Sequence, residues 1–459
     1  MEARWIAMDT ARAFVGHRTT VVVAPTRQDG GVVRNVRGLL VRQTRLAGLG
    51  AISGVLAGLA SAVFLVTLAW ATTAFDTHDW LLYLLPLGGL VVGLAYHYGG
   101  GRSVEGNNLV LDEIHEPTEW VPRRMAPMVL VGTVITHLFG GSAGREGTAI
   151  QMSGSLTDWM SRTLRLGDIE RRHLLVAALA GGFGSVFGVP FAGVVFGLEV
   201  QAVGGFDRAA VVPCLTASFV GAYVVDLLGI EHLATPDLGS VGLDALLLLK
   251  VAAAGLAFGL AAMLFSKSTH LVKQGFNKVF AWMPARPLVG GALVVGLTLL
   301  VGTRAYNGLS LPLISTSFFG APPPTWSFAL KLVFTALTLG AGFVGGEVTP
   351  LFVIGTTLGA TLAGVLDVPV PFLAAMGFVA VFGAAANTPL ACTVMGVELF
   401  GIGSVPYLAV ACLVAYMVSP HTGIYRSQRV RRPKPGRRPR GVGGSDDGDG
   451  SGGPLPSAA

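Results

Sequence analysis

Charge is what this chain has least of. Only 13% of its 459 residues are Asp, Glu, Lys or Arg, while 52% are apolar. A soluble domain carries about a quarter charged residues, so a fully water-exposed surface is excluded and a polytopic helical membrane protein is the class that remains. Cysteine is almost as scarce. Cys214, Cys392 and Cys412 each sit inside an apolar run without metal-ligand spacing, which excludes a disulfide framework and structural zinc and makes them small core residues. A signal peptide is also missing, because the first long apolar run starts near Leu46 and is long enough to stay in a bilayer. The pI of 9.4 does not indicate nucleic-acid binding. Sixteen of the thirty-two basic residues, but only six of the twenty-six acids, lie before Leu46 or after Tyr425, leaving sixteen basic and twenty acidic residues between them. Basic flanks place both termini in the cytoplasm by the positive-inside rule, which requires an even number of crossings.

Glycine, with 64 residues, is what the chain has in excess, and its placement is patterned. Gly144-Arg145-Glu146-Gly147-Thr148 is echoed 201 positions later by Gly345-Gly346-Glu347-Val348-Thr349, and Gly154 by Gly355. Pro190-Phe191-Ala192 with Val195, Gly197 and Glu199 is matched by Pro389-Leu390-Ala391 with Val394, Gly396 and Glu398. Correspondences held in register mean a duplicated half. The expected organisation is a tail over 1–40, a first half over 41–240, a second over 241–427, and a basic, then Gly/Ser/Asp-rich, disordered tail over 428–459.

Apolar runs at 46–71 and 80–98 predict a membrane hairpin, since a span needs about 20 residues. A short helix should begin near Asn107 with that asparagine as its cap. The run 125–141 is too short to cross and stops at the first signature, and such broken helices are tolerated where they line a cavity. Thr148 and Gln151 have capping-box spacing. The run 174–203, broken by Pro190, reads as two helices, and 209–229 and 243–266 as further spans. Residues 267–286 read as a basic connector, followed by runs at 288–303, 327–344, 350–366, 371–386, 390–403 and 405–419. Thr349-Pro350 reads as a helix cap followed by proline at the first helical position.

Glycine-rich breaks that gather helix N-termini inside a membrane have a chemical use. Unpaired N–H groups and the positive end of the helix dipole can replace the water around an anion, and duplicated halves with broken helices are the plan of secondary transporters. Glu146 is the sharpest residue in this frame. A carboxylate at such a terminus binds where an anion binds and, once protonated, leaves the site free, so it can gate and carry a proton. Glu199 and Glu398 recur in both halves and read as packing or capping residues at helix ends rather than as transport residues. Gly140-Gly141-Ser142-Ala143-Gly144 matches a hydrolase nucleophile elbow, with His137 nearby, but its flank is a membrane helix and not a strand. An intramembrane serine hydrolase is therefore the distant alternative. Gly181, Gly182, Gly184 and Gly188 read as close helix packing rather than a dinucleotide loop.

Gly144-Arg145-Glu146-Gly147-Thr148, Gly345-Gly346-Glu347-Val348-Thr349-Pro350 and Gly188-Val189-Pro190-Phe191-Ala192-Gly193 resemble the CLC family of chloride channels and anion/proton antiporters, over about residues 40–427. The resemblance implies an all-α polytopic fold of inverted repeats with broken and re-entrant helices, a homodimer, and one pore per subunit. Common chloride-type members have Gly-Ser-Gly-Ile-Pro where this chain has Gly106-Asn107-Asn108-Leu109-Val110, a proline where it has Thr148, and Ile-Phe-Ala-Pro where it has Glu347-Val348-Thr349-Pro350. These departures resemble the fluoride-specific branch. The implied function is a fluoride/proton antiporter of the bacterial inner membrane, with a chloride/proton antiporter or chloride channel as the alternative. Glu146 would gate, and Asn107, Gly144, Arg145, Gly147, Thr148, Glu347, Val348, Thr349 and Tyr425 would hold or border the anion. Tyr425 enters through the resemblance alone. Fluoride is small and strongly hydrated, so compact, strong donors suit it. The expected partners are fluoride, protons, lipid and a second copy, with no cofactor, metal or nucleic acid.

Overall fold

The computed structural model describes residues 29–434, so the segments 1–28 and 435–459 of the two expected tails lie outside the described residues. The chain divides into two units, residues 1–44 and 45–459. The first contributes the opening turns of one helix, and the second holds every other described element.

The first half contains α1 (Asp29–Thr77), a 3-10 turn leading into α2 (Leu85–Gly99), α3 (Asn107–His115), α4 (Met125–Leu138), α5 (Glu146–Thr163), α6 (Asp168–Phe187), α7 (Pro190–Glu199) and α8 (Val211–Leu227). The second contains α9 (Ala245–Val279), α10 (Ala285–Val301), α11 (Leu311–Phe319), α12 (Ser327–Gly340), α13 (Val348–Leu366), α14 (Val370–Ala386), α15 (Pro389–Phe400) and α16 (Val405–Val418). Five helices among the described residues are long and apolar enough to cross a membrane, and several others, including α4, α7 and α15, are apolar but shorter.

Three boundaries differ from the expected ones. Helix α1 begins at Asp29, inside the expected tail. The expected connector 267–286 is mostly helix, because α9 continues to Val279 without a proline or glycine pair to stop it. Residues 428–434 are not a free tail: Arg429–Val430 (β2) pairs in parallel with Ala202–Val203 (β1). Backbone pairing of this kind carries no hydrophobic period, so composition alone did not mark it.

Helix α14 is apolar on all sides, and α6 is apolar from Leu174 onward; both are accordingly buried over nearly their whole length. Small residues let backbones touch. A Cβ at Gly355 would lie 2.0 Å from the Gly377 carbonyl, and one at Gly184 would lie 2.2 Å from Ser218 Oγ, so the α13–α14 and α6–α8 crossings require glycine. The two halves meet through aromatic rings: Phe187 faces Phe352 at 5.2 Å between centroids, and Phe183 stacks near Phe382 at 5.9 Å. Cys214, Cys392 and Cys412 are free and buried, as expected.

The recurrent glutamates cap each other's half. Glu398 accepts from the N–H groups of Phe191 (2.8 Å) and Ala192 (2.6 Å) at the start of α7. Glu199 accepts from those of Leu390 (3.2 Å) and Ala391 (2.8 Å) at the start of α15. Each proline-headed helix thus has its free N-terminal donors satisfied by the last turn of its counterpart. Replacing Glu199 with Ala leaves these α15 donors without that acceptor. The expected cost is about 2 kcal/mol of stability, read as a lower unfolding midpoint in detergent, and an unchanged midpoint would refute the cross-cap.

Candidate functional site

The turns that follow α4 and α12 meet as a two-residue antiparallel bridge. Gly144 N–H donates to Gly346 O at 2.7 Å, and Gly346 N–H returns to Gly144 O at 2.8 Å. A Cβ on Gly144 would lie 2.8 Å from Pro350 Cδ, and one on Gly346 would lie 2.9 Å from Gly147 N. Glycine is needed here for close approach. The bridge places the first turns of α5 and α13 against each other.

Glu146 is fully buried at this junction. Its Oε2 accepts from Thr349 N–H at 3.0 Å and from Arg145 N–H at 3.2 Å, while its Oε1 accepts the Thr349 hydroxyl. The carboxylate therefore caps α13 of the other half, although it is the first residue of α5. This corrects the reading of Thr349 as a helix cap: Glu347 occupies that position, and Thr349 turns its hydroxyl to Glu146. Arg145 is the residue before α5, and its Nε lies 3.8 Å from Glu146 Oε1, beyond hydrogen-bond reach, buried without a hydrogen-bond partner among the described residues. Its guanidinium lies 5.8 Å from the Phe187 ring centre. The donors on Glu146 belong to a helix N-terminus, a position whose free N–H groups favour negatively charged acceptors.

Asn107 lies beside the same junction. A Cβ on Gly147 would sit 3.0 Å from Asn107 Nδ2, and Asn107 Oδ1 is buried without a hydrogen-bond partner among the described residues. The expected capping role is not what the structure has. Gly106, at φ +63°, is the cap residue of α3, and Asn107 is the first helical residue with a side chain free to face Gly147. Thr148 does not cap either. Its hydroxyl pairs with Thr133 Oγ1 at 2.6 Å, because α5 starts three residues earlier than the capping-box spacing implied. Val348 opens α13 and is buried.

Glu347 makes no side-chain bond to its own helix, so the two signature glutamates have different partners. It lies within the electrostatic reach of Lys273 on α9 and of Arg426. Tyr425 is buried, its hydroxyl unpartnered among the described residues, in the field of both Glu347 and Glu146. A cavity of about 370 Å³, lined by Gly106, Gln151, Lys273, Asn277, Arg286 and Gly345 among others, opens next to this region. Lys273 and Arg286 escaped the sequence reading, since both fell in the expected connector. Continuing the α9 period past Ser266 would have brought Lys273 in.

Residues 88–420 match the family model described as voltage gated chloride channel. The chain belongs to this family. It is 47% identical, over 85% of its length and 86% of the relative's, to the "Chloride/fluoride channel protein" of Pseudomonas syringae pv. tomato. Among solved structures, it is similar to a CLC-type fluoride/proton antiporter, with a TM-score of 0.81 and 36% identity, covering 84% of this chain and 98% of the other. A slow cyanobacterial Cl−/H+ antiporter shares the fold at a TM-score of 0.72 and 20% identity, covering 83% and 96% of the two chains. The all-α polytopic CLC fold expected from the motifs is the one this family member has.

The hydrolase constellation does not form. Ser142 Oγ bonds Thr335 Oγ1 at 2.8 Å, and the two ring nitrogens of His137 face the carbonyls of Thr133 and Ala143 at 2.9 and 3.1 Å. The serine therefore lacks the bonded base that nucleophilic catalysis needs.

An ion network fastens α3, and with it Asn107. Buried Glu113 accepts from Arg102 Nη2 (2.8 Å), Arg171 Nη2 (3.2 Å) and the Thr118 hydroxyl (3.0 Å), and Arg171 also pairs with Asp158 at 2.6 Å. Burial pushes the Glu113 carboxyl up, but Arg102 with the donors of Thr118 and Glu119 more than reverses this and holds it below the ordinary glutamate value of 4.5. A depressed carboxylate stabilises the fold fully above its unfolded value and loses that contribution as pH falls through the folded one. Glu113→Gln should lower the melting temperature at pH 7, and lower it progressively less, relative to the unmodified protein, as pH falls below about 4. A difference that stayed constant with pH would contradict this network.

Proposed function

We propose that the protein is a fluoride/proton antiporter of the bacterial inner membrane that exports fluoride. The observation that carries the reading is Glu146 seated on the N–H and hydroxyl of Thr349, with a second glutamate, Glu347, in the facing turn. Support for fluoride comes from the "Chloride/fluoride channel protein" relative and the fluoride/proton antiporter fold neighbour.

In this mechanism Glu146, when charged, occupies the α13 N-terminus and closes the path. An anion arriving there displaces the carboxylate, which takes up a proton and swings away, so release of proton and anion on opposite sides alternates through one side chain. Thr349, Val348 and the backbone of Gly144, Arg145, Gly147 and Thr148 border the anion. The orphan polar atoms of Asn107 and Tyr425 supply further contacts, and Glu347 lies on the path between Lys273 and Arg426. A compact cluster of donors suits an ion whose dehydration is costly.

The two halves, 41–240 and 241–427, form the repeat, with both termini cytoplasmic. A homodimer fits the exposed apolar side chains of Phe191, Phe219, Leu390 and Leu413 on α7, α8, α15 and α16. Alternatively, a chloride transporter of the same family would use the same gate.

Proteoliposomes loaded with either anion discriminate the two readings. Fluoride release should exceed chloride release by at least about tenfold and draw protons inward, and equal rates would eliminate the fluoride reading. Glu146→Gln should leave no measurable proton movement coupled to fluoride release, whereas intact coupling would assign the proton to another group.

A further inference from the structure

Beyond Tyr425 the chain stays on the protein. Ser427 N–H donates to Asn108 Oδ1 at 3.1 Å, the Ser427 hydroxyl donates to Asp112 Oδ2 at 2.8 Å, and Arg429 pairs with Glu116. Asn108, Asp112 and Glu116 are four residues apart and form one stripe along α3, which the strap meets in order. Gln428 faces the other way. Its Nε2 donates to Val200 O at 2.8 Å and Ala386 O at 2.7 Å, and its Oε1 accepts from Asn387 Nδ2 at 3.1 Å. Pairing of β2 with β1 completes the attachment, and His115 on α3 also reaches Gln201 O at 2.8 Å. One short strap thus binds α3 to the C-terminal ends of α7 and α14.

The position of this strap in the chain gives it a consequence for the anion site. It begins two residues after Tyr425, and the helix it fastens begins with Asn107, so it tethers two of the side chains that have a buried, unpartnered polar atom. Nine residues make too short a helix to hold its place by itself, and Gly106 before it has no side chain to pack. Its buried Leu109, Val110, Leu111 and Ile114 pack into the core, and its polar faces are pinned by the Glu113 network on one side and by Ser427 with Arg429 on another. Glu116 and Arg429 are largely exposed and contribute little energy, so the Ser427 bonds are the part that fixes geometry.

We propose that Ser427 and its α3 partners Asn108 and Asp112 are positioning residues that set the anion selectivity of the site. This rests on the fluoride reading above. A small anion gains only when its donors converge at one short distance. Slack in α3 lets Asn107 withdraw, weakening the hold on fluoride while a larger anion still spans the gap.

The test compares Asn108→Ala combined with Asp112→Ala against Asp112→Asn, which keeps an acceptor for the Ser427 hydroxyl. Initial fluoride and chloride release from proteoliposomes, together with proton uptake, are measured for each. The double variant should lose about fivefold in the fluoride-to-chloride ratio while protons remain coupled through Glu146, and Asp112→Asn should keep the original ratio. An unchanged ratio in the double variant, or an equal fall for both anions, overturns the proposal. Should the unmodified protein fail to discriminate, the fluoride reading itself falls and takes this inference with it. A discriminating protein with a discriminating double variant removes only the strap.

Discussion

The arrangement depends on one contact that crosses the duplication: the carboxylate of Glu146 lying on the first turn of α13. A helix start buried in an apolar interior leaves N–H groups that demand an acceptor. Here the acceptor is a side chain from the other half, and under the proposed mechanism an anion offering the same chemistry can take its place. The Gly144–Gly346 bridge, the glycines that let the turns touch and the burial of Glu146 all serve to keep that acceptor within reach.

The duplication is used in two ways. At Glu199 and Glu398 it is symmetric, each acid capping the other half's proline-headed helix, and the result is a scaffold. At Glu146 and Glu347 it is broken. Glu146 bonds to Thr349, whereas Thr148, which corresponds to Thr349, bonds to Thr133. Glu347 instead lies in the field of Lys273 and Arg426.

Helix α3 packs its apolar side chains into the core, and the Glu113–Arg171–Asp158 network and the Ser427–Arg429 strap tie its polar faces to the rest of the protein. Both draw on residues that composition assigns to wet loops or a basic tail.

The apolar runs, the breaks at glycine and proline, and the register of the two halves were all legible in the sequence, because hydrophobic length and glycine placement are local properties that survive in a linear string. So was the place of Glu146, an acid at a helix start in apolar surroundings. The tertiary structure decided the partners. Asn107 and Thr349 read locally as helix caps, the roles their side chains take with nothing else nearby. In the folded protein Gly106 and Glu347 stand at those positions, Thr349 meets Glu146 of the other half, and Asn107 faces Gly147 of its own. The hydrogen bond between Glu146 and Thr349 joins residues separated by 203 positions. No local propensity encodes a contact of that span, because it exists only once two independently broken helices have been brought nose to nose.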